Sequence, residues 1–221
     1  MGRRIFTFAL LLVSALAGQA IAVSPAGQSG RVVDRIVTRI EGDIILESQV
    51  RELGAFQQLV EEHAESDDQL LSELIEQWIV QTEAAATHFP EPAQSEVDRE
   101  LGRLSARFGT AEAYAAKLRE LGLSASQVRQ LLARQIYIER YLDYKFRPSV
   151  QIDSSAIDAY YKNELLPELE KQGQSVPPRA DVDEQIRELL TQREISTATA
   201  KWLDETKSRL KIEPTPGGAK P

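Results

Sequence analysis

The sequence predicts a mainly α-helical fold with a small β-hairpin near the N-terminus, to which the C-terminal end can add a strand. Three observations lead there. From Glu47 onward, apolar residues recur at the three- and four-residue spacing of helices that bury one side. Start and stop signals punctuate those stretches: Ser66 with Gln69 and Ser124 with Gln127 form capping boxes, while Gly109, Gly122 and Pro148 end helices. Only Arg31 to Gln49 carries a strand pattern. There Val33, Arg35, Val37 and Arg39 alternate with Val32, Asp34, Ile36, Thr38 and Ile40, ahead of the turn Glu41-Gly42-Asp43 and the run Ile44-Ile45-Leu46.

The hairpin is marginal alone and needs a helix or a third strand. The later candidate is Arg209 to Glu213, RLKIE, which would close the two ends of the chain into one domain. Between them the helices follow in order. Glu47 to Glu65 is modestly amphipathic. Ser66 to Phe89 has the broadest apolar arc, with Leu70, Leu71, Leu74, Ile75, Trp78, Ala85 and Phe89, and Pro90 and Pro92 stop it. Ser95 with Asp98 starts a helix with the narrow stripe Val97, Leu101, Leu104 and Phe108, and Thr110 caps a short one running to Leu121.

The longest uninterrupted signal is Ser124 to Arg147. At about 100° per residue, Val128, Leu131, Leu132, Ile138, Leu142 and Phe146 share one face, and Tyr137, Tyr141 and Tyr144 lie nearly opposite. A surface helix has one apolar stripe. Two stripes mean that the helix is sandwiched between layers or that one stripe meets something outside the chain. Beyond Pro148 comes a helix from Ser154 to about Leu166, then a loop through Pro167 and Gln172 to Arg179. The last helix runs from Asp181 to about Leu210. Its apolar phase slips between Val182, Ile186, Leu189 and Ile195, Ala198, Trp202, so its halves pack on different neighbours.

The first residues read as a secretory leader: Gly2-Arg3-Arg4 is basic, Ile5 to Ala17 is apolar, and Ala20-Ile21-Ala22 is a cleavage site. Residues 1–22 are expected to be removed, leaving 199 of 221 and an exported product. Residues 23–213 then form a single domain, with a core at 32–153, a helix and loop at 154–180 and a returning helix and strand at 181–213; residues 214–221 are a disordered tail. The chain has no cysteine, so an exported fold here must rest on apolar burial without disulfides. Taking Arg3 and Arg4 from the 26 basic residues leaves 24 against 34 acidic, a net charge of −10. That argues against nucleic acid and anionic lipid as partners. No later run is long and apolar enough for an integral membrane span.

The residues that carry catalysis are missing from the sequence. His63 and His88 are its two histidines, on different helices and without metal-ligand spacing. Phosphate-binding glycine loops and the nucleophile-elbow motif are absent, and the carboxylate pairs Glu61-Glu62 and Asp67-Asp68 sit at helix surfaces or starts, where acid suits the helix dipole. No catalytic, cofactor or metal residues are therefore assigned, and a binding protein is expected. Three tyrosines at i, i+4 and i+7 offer large contact area at low entropic cost. They are either core, covered by the last helix or by Tyr160-Tyr161, or a peptide-contacting stripe.

The order of signals resembles a family. V-V-D-R-I-V at 32–37, I-I-L-E-S-Q at 44–49, L-L-S-E-L-I-E-Q-W-I-V-Q at 70–81, S-E-V-D at 95–98, R-F-G-T at 107–110 and L-R-E-L-G-L-S at 118–124 precede the long helix. In that order they are similar to the N-terminal chaperone domain of SurA-like periplasmic proteins, which assist outer-membrane protein biogenesis. The resemblance covers about Val32 to Asp153, and Asp181 to Glu213 is similar to the segment that returns to complete that domain. Members usually carry one or two parvulin prolyl-isomerase domains between those parts. A small domain needs on the order of 100 residues, and here only Pro167 to Ala180 connects them. The resemblance implies a periplasmic, ATP-independent chaperone that binds unfolded or extended client polypeptides, with no isomerase activity and no cofactor. The expected peptide groove is walled by Leu101, Leu104 and Phe108, by Tyr114 and Leu118, and by Tyr137, Tyr141 and Tyr144. The rival expectation is a non-catalytic assembly subunit, with a homodimer among its forms, that uses the same fold to dock one partner.

Overall fold

The computed structural model describes residues 34–215; the expected leader and the last residues of the tail lie outside them. The sheet starts from a two-residue turn. Glu41 and Gly42 have φ of 50° and 98°, both positive, which is the hairpin geometry that matches the twist of the flanking strands. It joins β1 (Ile36–Ile40) to β2 (Asp43–Leu46), with Ile40 opposite Asp43. A third strand, β3 (Ile212–Pro214), pairs antiparallel with β1, so β1 is central. The Thr38 hydroxyl, fully buried, donates to the Glu213 carbonyl at 3.1 Å, and the Glu41 carboxylate accepts from the Lys211 N–H at 2.7 Å. The strand lies slightly later than expected. Pro214 belongs to it rather than to a tail, which an edge strand tolerates because one side of its backbone needs no partner.

Eight helices follow among the described residues: α1 (Glu47–Val60), α2 (Asp67–Ala86), α3 (Gln94–Ala106), α4 (Ala111–Leu121), α5 (Ala125–Phe146), α6 (Ser154–Tyr160), α7 (Leu166–Lys171) and α8 (Arg179–Lys207). The caps read from sequence are in place at three starts. Ser66 N–H and Ser124 N–H donate to Gln69 and Gln127 Oε1, and Thr110 Oγ1 accepts from Ala113 N–H. Gly122 ends α4 at φ 68°, with Leu123 N–H returning to the Leu118 carbonyl. Helix α3 departs from expectation: it begins at Gln94 after Ala93, so Ser95 lies inside it.

The end of α2 also differs, with consequences for the site. His88 takes φ 55°, His88 N–H donates to the Ala85 carbonyl and Phe89 N–H to the Ala84 carbonyl. This is a Schellman closure with histidine where glycine is usual. It takes Phe89 off the helix and turns it toward α5. The buried residues of α2 are Leu70, Leu71, Leu74, Ile75, Ile79, Val80 and Ala84, while Ala85 is exposed and Trp78 half-buried.

Two clusters make the core, and α5 runs through both. Its first half, Val128 to Ile136, packs with Phe56 and Leu59 of α1, Val97 and Leu104 of α3, and Leu118 of α4. Its second half joins the sheet residues Val37, Ile40 and Ile45, the apolar side of α2 and Leu203 of α8. Helix α5 is thus sandwiched.

Pro167 does not end the helix before it. Tyr161–Leu165 form a π turn, with Leu166 N–H reaching the Tyr161 carbonyl, and α7 continues through Pro167. A wider turn absorbs a proline whose ring would meet the carbonyl four residues back. Helix α6 packs on the first half of α8, held by Arg179–Asp158 at 2.6 Å, while the second half of α8 lies on α5 and α2. The phase slip in its sequence reflects this division, although Leu189 is exposed.

Candidate functional site

The eight residues expected to wall a groove do not meet in one. Leu104 and Leu118 are buried in the cluster under α1 and α5; Leu101, Phe108 and Tyr114 are half-buried beside them, with the Phe108 and Tyr114 rings 5.5 Å apart. Tyr137 and Tyr141 belong to the other cluster. Phe89 covers them, its ring 5.7 Å from Tyr137 and 5.3 Å edge-on from Tyr141, and the Tyr137 hydroxyl donates to the Phe89 carbonyl at 3.4 Å. Burial, then the Glu91 carboxylate and Tyr141, push the Tyr137 phenol above its ordinary pKa. Only Tyr144 stands out, 63% exposed. The tyrosine face is therefore core for two of its three residues, and Phe89 packs on both.

The open surface lies on the other side of α5. A cavity of about 410 Å³ has Leu53, Phe56 and Val60 of α1, Val80 of α2, Leu131, Ile138 and Leu142 of α5, and Leu203 of α8 along its floor. A second, of about 420 Å³, continues between α5 and α8 past Ile195 and shares Glu76, Glu139, Leu142, Thr199 and Leu203 with the first. Together they form a trough along the aliphatic stripe of α5. The sequence marks that stripe as an anchor to the core. What it lacks is any sign that α1, α2 and α8 stop short of covering it.

Carboxylates rim the trough: Glu61, Glu65, Glu73, Glu76 and Glu139, then Asp143 and Asp204. Lys207 holds Glu76 at 2.5 Å and Arg147 holds Asp143 at 2.7 Å. Glu73 is drawn inward, accepting from Gln57 Nε2 at 2.8 Å and Gln77 Nε2 at 2.9 Å. Burial, with the Glu65 and Glu61 charges, raises its pKa against those two amides. Gln77 Oε1 and Thr199 Oγ1, on lining residues, have no hydrogen-bond partner. Beyond Glu139 and Gln135 the sign changes. A third cavity of about 360 Å³ is lined by Arg99, Arg103, Arg107 and Arg140, of which Arg103 and Arg140 pair with Glu100 and Glu96.

This arrangement can hold a chain or an apolar group. Its residues offer no nucleophile with an adjacent base, and both histidines are exposed. Among the described residues no group of three or more His, Cys, Asp or Glu is placed to hold a metal ion. No helix among them is long and apolar enough to cross a membrane. The chain matches no protein-family model, and no curated protein matches it.

Proposed function

We propose that the protein is an ATP-independent periplasmic chaperone that holds unfolded polypeptides, outer-membrane proteins among them, without isomerising prolyl bonds. The observation that carries this reading is the trough along α5, where Val60, Ile138 and Leu142 are left partly uncovered between α1, α2 and α8. Extended client segments would lay apolar side chains on Val60, Ile138 and Leu142, the partly exposed aliphatic residues of the trough, and leave reversibly. The resemblance to SurA-like proteins supports the same reading. So does the pairing of β1 with β3, which brings residues 212–214 back to the hairpin at 36–46. Residues 154–180, where a parvulin domain would sit, are occupied by α6, the π turn, α7 and a short loop.

The test is aggregation of an unfolded outer-membrane protein diluted from denaturant, with and without the purified protein. Suppression is expected at a several-fold excess; no suppression sinks the reading. A stable dimer that buries the trough, seen by light scattering, would instead make the protein a docking subunit.

A further inference from the structure

We infer that the trough selects client segments in which apolar residues are flanked by lysine or arginine. This rests on the chaperone reading and narrows it. The floor calls for apolar side chains, but the rim decides which ones are admitted. Glu61 and Glu65 come from the α1–α2 loop, Glu139 from α5 and Asp204 from α8, and none has a lysine or arginine within ion-pair distance among the described residues. Arg134 is the one cation among the residues lining the two joined cavities. Glu73 adds a carboxyl that burial and its acidic neighbours hold at a disadvantage when charged, and an incoming cation relieves that.

Other occupants fit less well. A second copy of this chain brings a net charge of −8 to a negative rim, and nucleic acid brings phosphates. The negative stretch ends at Glu139, beyond which the arginines of α3 begin. The cationic residues of a bound segment thus lie on the α1 and α8 side of that position.

The test uses two fluorescent peptides with one apolar core, flanked in one by lysines and in the other by glutamates. Anisotropy against the full chain at low salt is expected to favour the lysine peptide by about tenfold, or about 1.4 kcal/mol shared between two exposed pairs, within their usual worth. The difference should shrink toward unity at 1 M salt, where screening acts within about 3 Å. In the variant Glu65→Lys with Glu139→Lys, both at exposed positions, the preference should reverse. Equal affinities at low salt, or a preference untouched by the double variant, overturn the inference. If those results came with intact suppression of aggregation, the chaperone reading would stand and only the charge selection would fall.

Discussion

The two sides of α5 invert the roles that their chemistry suggests. Tyrosines carry hydroxyls and suit an interface, yet Tyr137 and Tyr141 are 6% and 2% exposed beneath Phe89. Ile138 and Leu142 are aliphatic and suit a core, yet they are only partly buried and line the trough. The difference teaches that a side chain's fate on a helix follows from what the rest of the chain supplies as cover. One aromatic residue, placed by the turn at His88, closes the tyrosine side. The aliphatic side would need a further layer, which α8 supplies only in part.

The largest expected effect lies on the tyrosine side. Tyr141→Ala should cost about 3–5 kcal/mol, as for other large aromatics removed from a core, read by urea unfolding. Together with Tyr137→Ala it should leave no cooperative transition. A folded double variant that loses client holding would return the tyrosines to the role of a site. One position along, Leu142→Ala should cost about 1 kcal/mol, the share expected of a leucine that is only half withdrawn from water. It should nonetheless weaken suppression of aggregation, whereas full suppression by that variant would remove the trough from the mechanism.

A smaller contrast is in pH dependence. The Glu73 carboxyl, raised by burial above its ordinary 4.5, binds its proton more readily in the fold than in the unfolded chain. It therefore lowers stability as pH rises from 4.5 through its folded value. Glu73→Gln should flatten that part of a stability profile. Glu188 behaves in the opposite sense: a two-pronged contact from Arg147, at 2.7 and 2.9 Å, holds it down to about 2. Its contribution is present above 4.5 and fades as pH falls toward 2, and Glu188→Gln should erase it. Chemical denaturation at intervals from pH 2 to pH 8 separates the two. His88→Gly should stabilise by about 0.5–1 kcal/mol, because glycine enters the left-handed region without the penalty that histidine meets. Smallest of all, Tyr144→Ala should change stability by no more than about 0.5 kcal/mol, as an exposed substitution does.

Much of the frame was legible because its signals are local. The side chains of Gln69, Gln127 and Thr110 bond within three residues of their own position, and Gly122 needs only its own φ. The strand at the end of the chain was legible too, because β1 required a partner and few β-rich stretches remained. The end of α2 is not legible in the sequence because the residue that turns it is a histidine, with none of the glycine that usually marks such a turn. Pro167 misled in the opposite way: a strong stop signal was absorbed by the π turn before it.

The candidate site was the least legible part. The sequence by itself determined that α5 carries two apolar stripes, that α8 changes face midway and that acid exceeds base. Each of these is a matter of spacing and composition, fixed before any contact forms. Only the tertiary structure decided which stripe is covered. Burial of a face depends on what packs against it from far along the chain: Phe89, 48 residues before Tyr137, reaches one side, while α8 meets the other along Leu203 and leaves Ile138 and Leu142 partly bare.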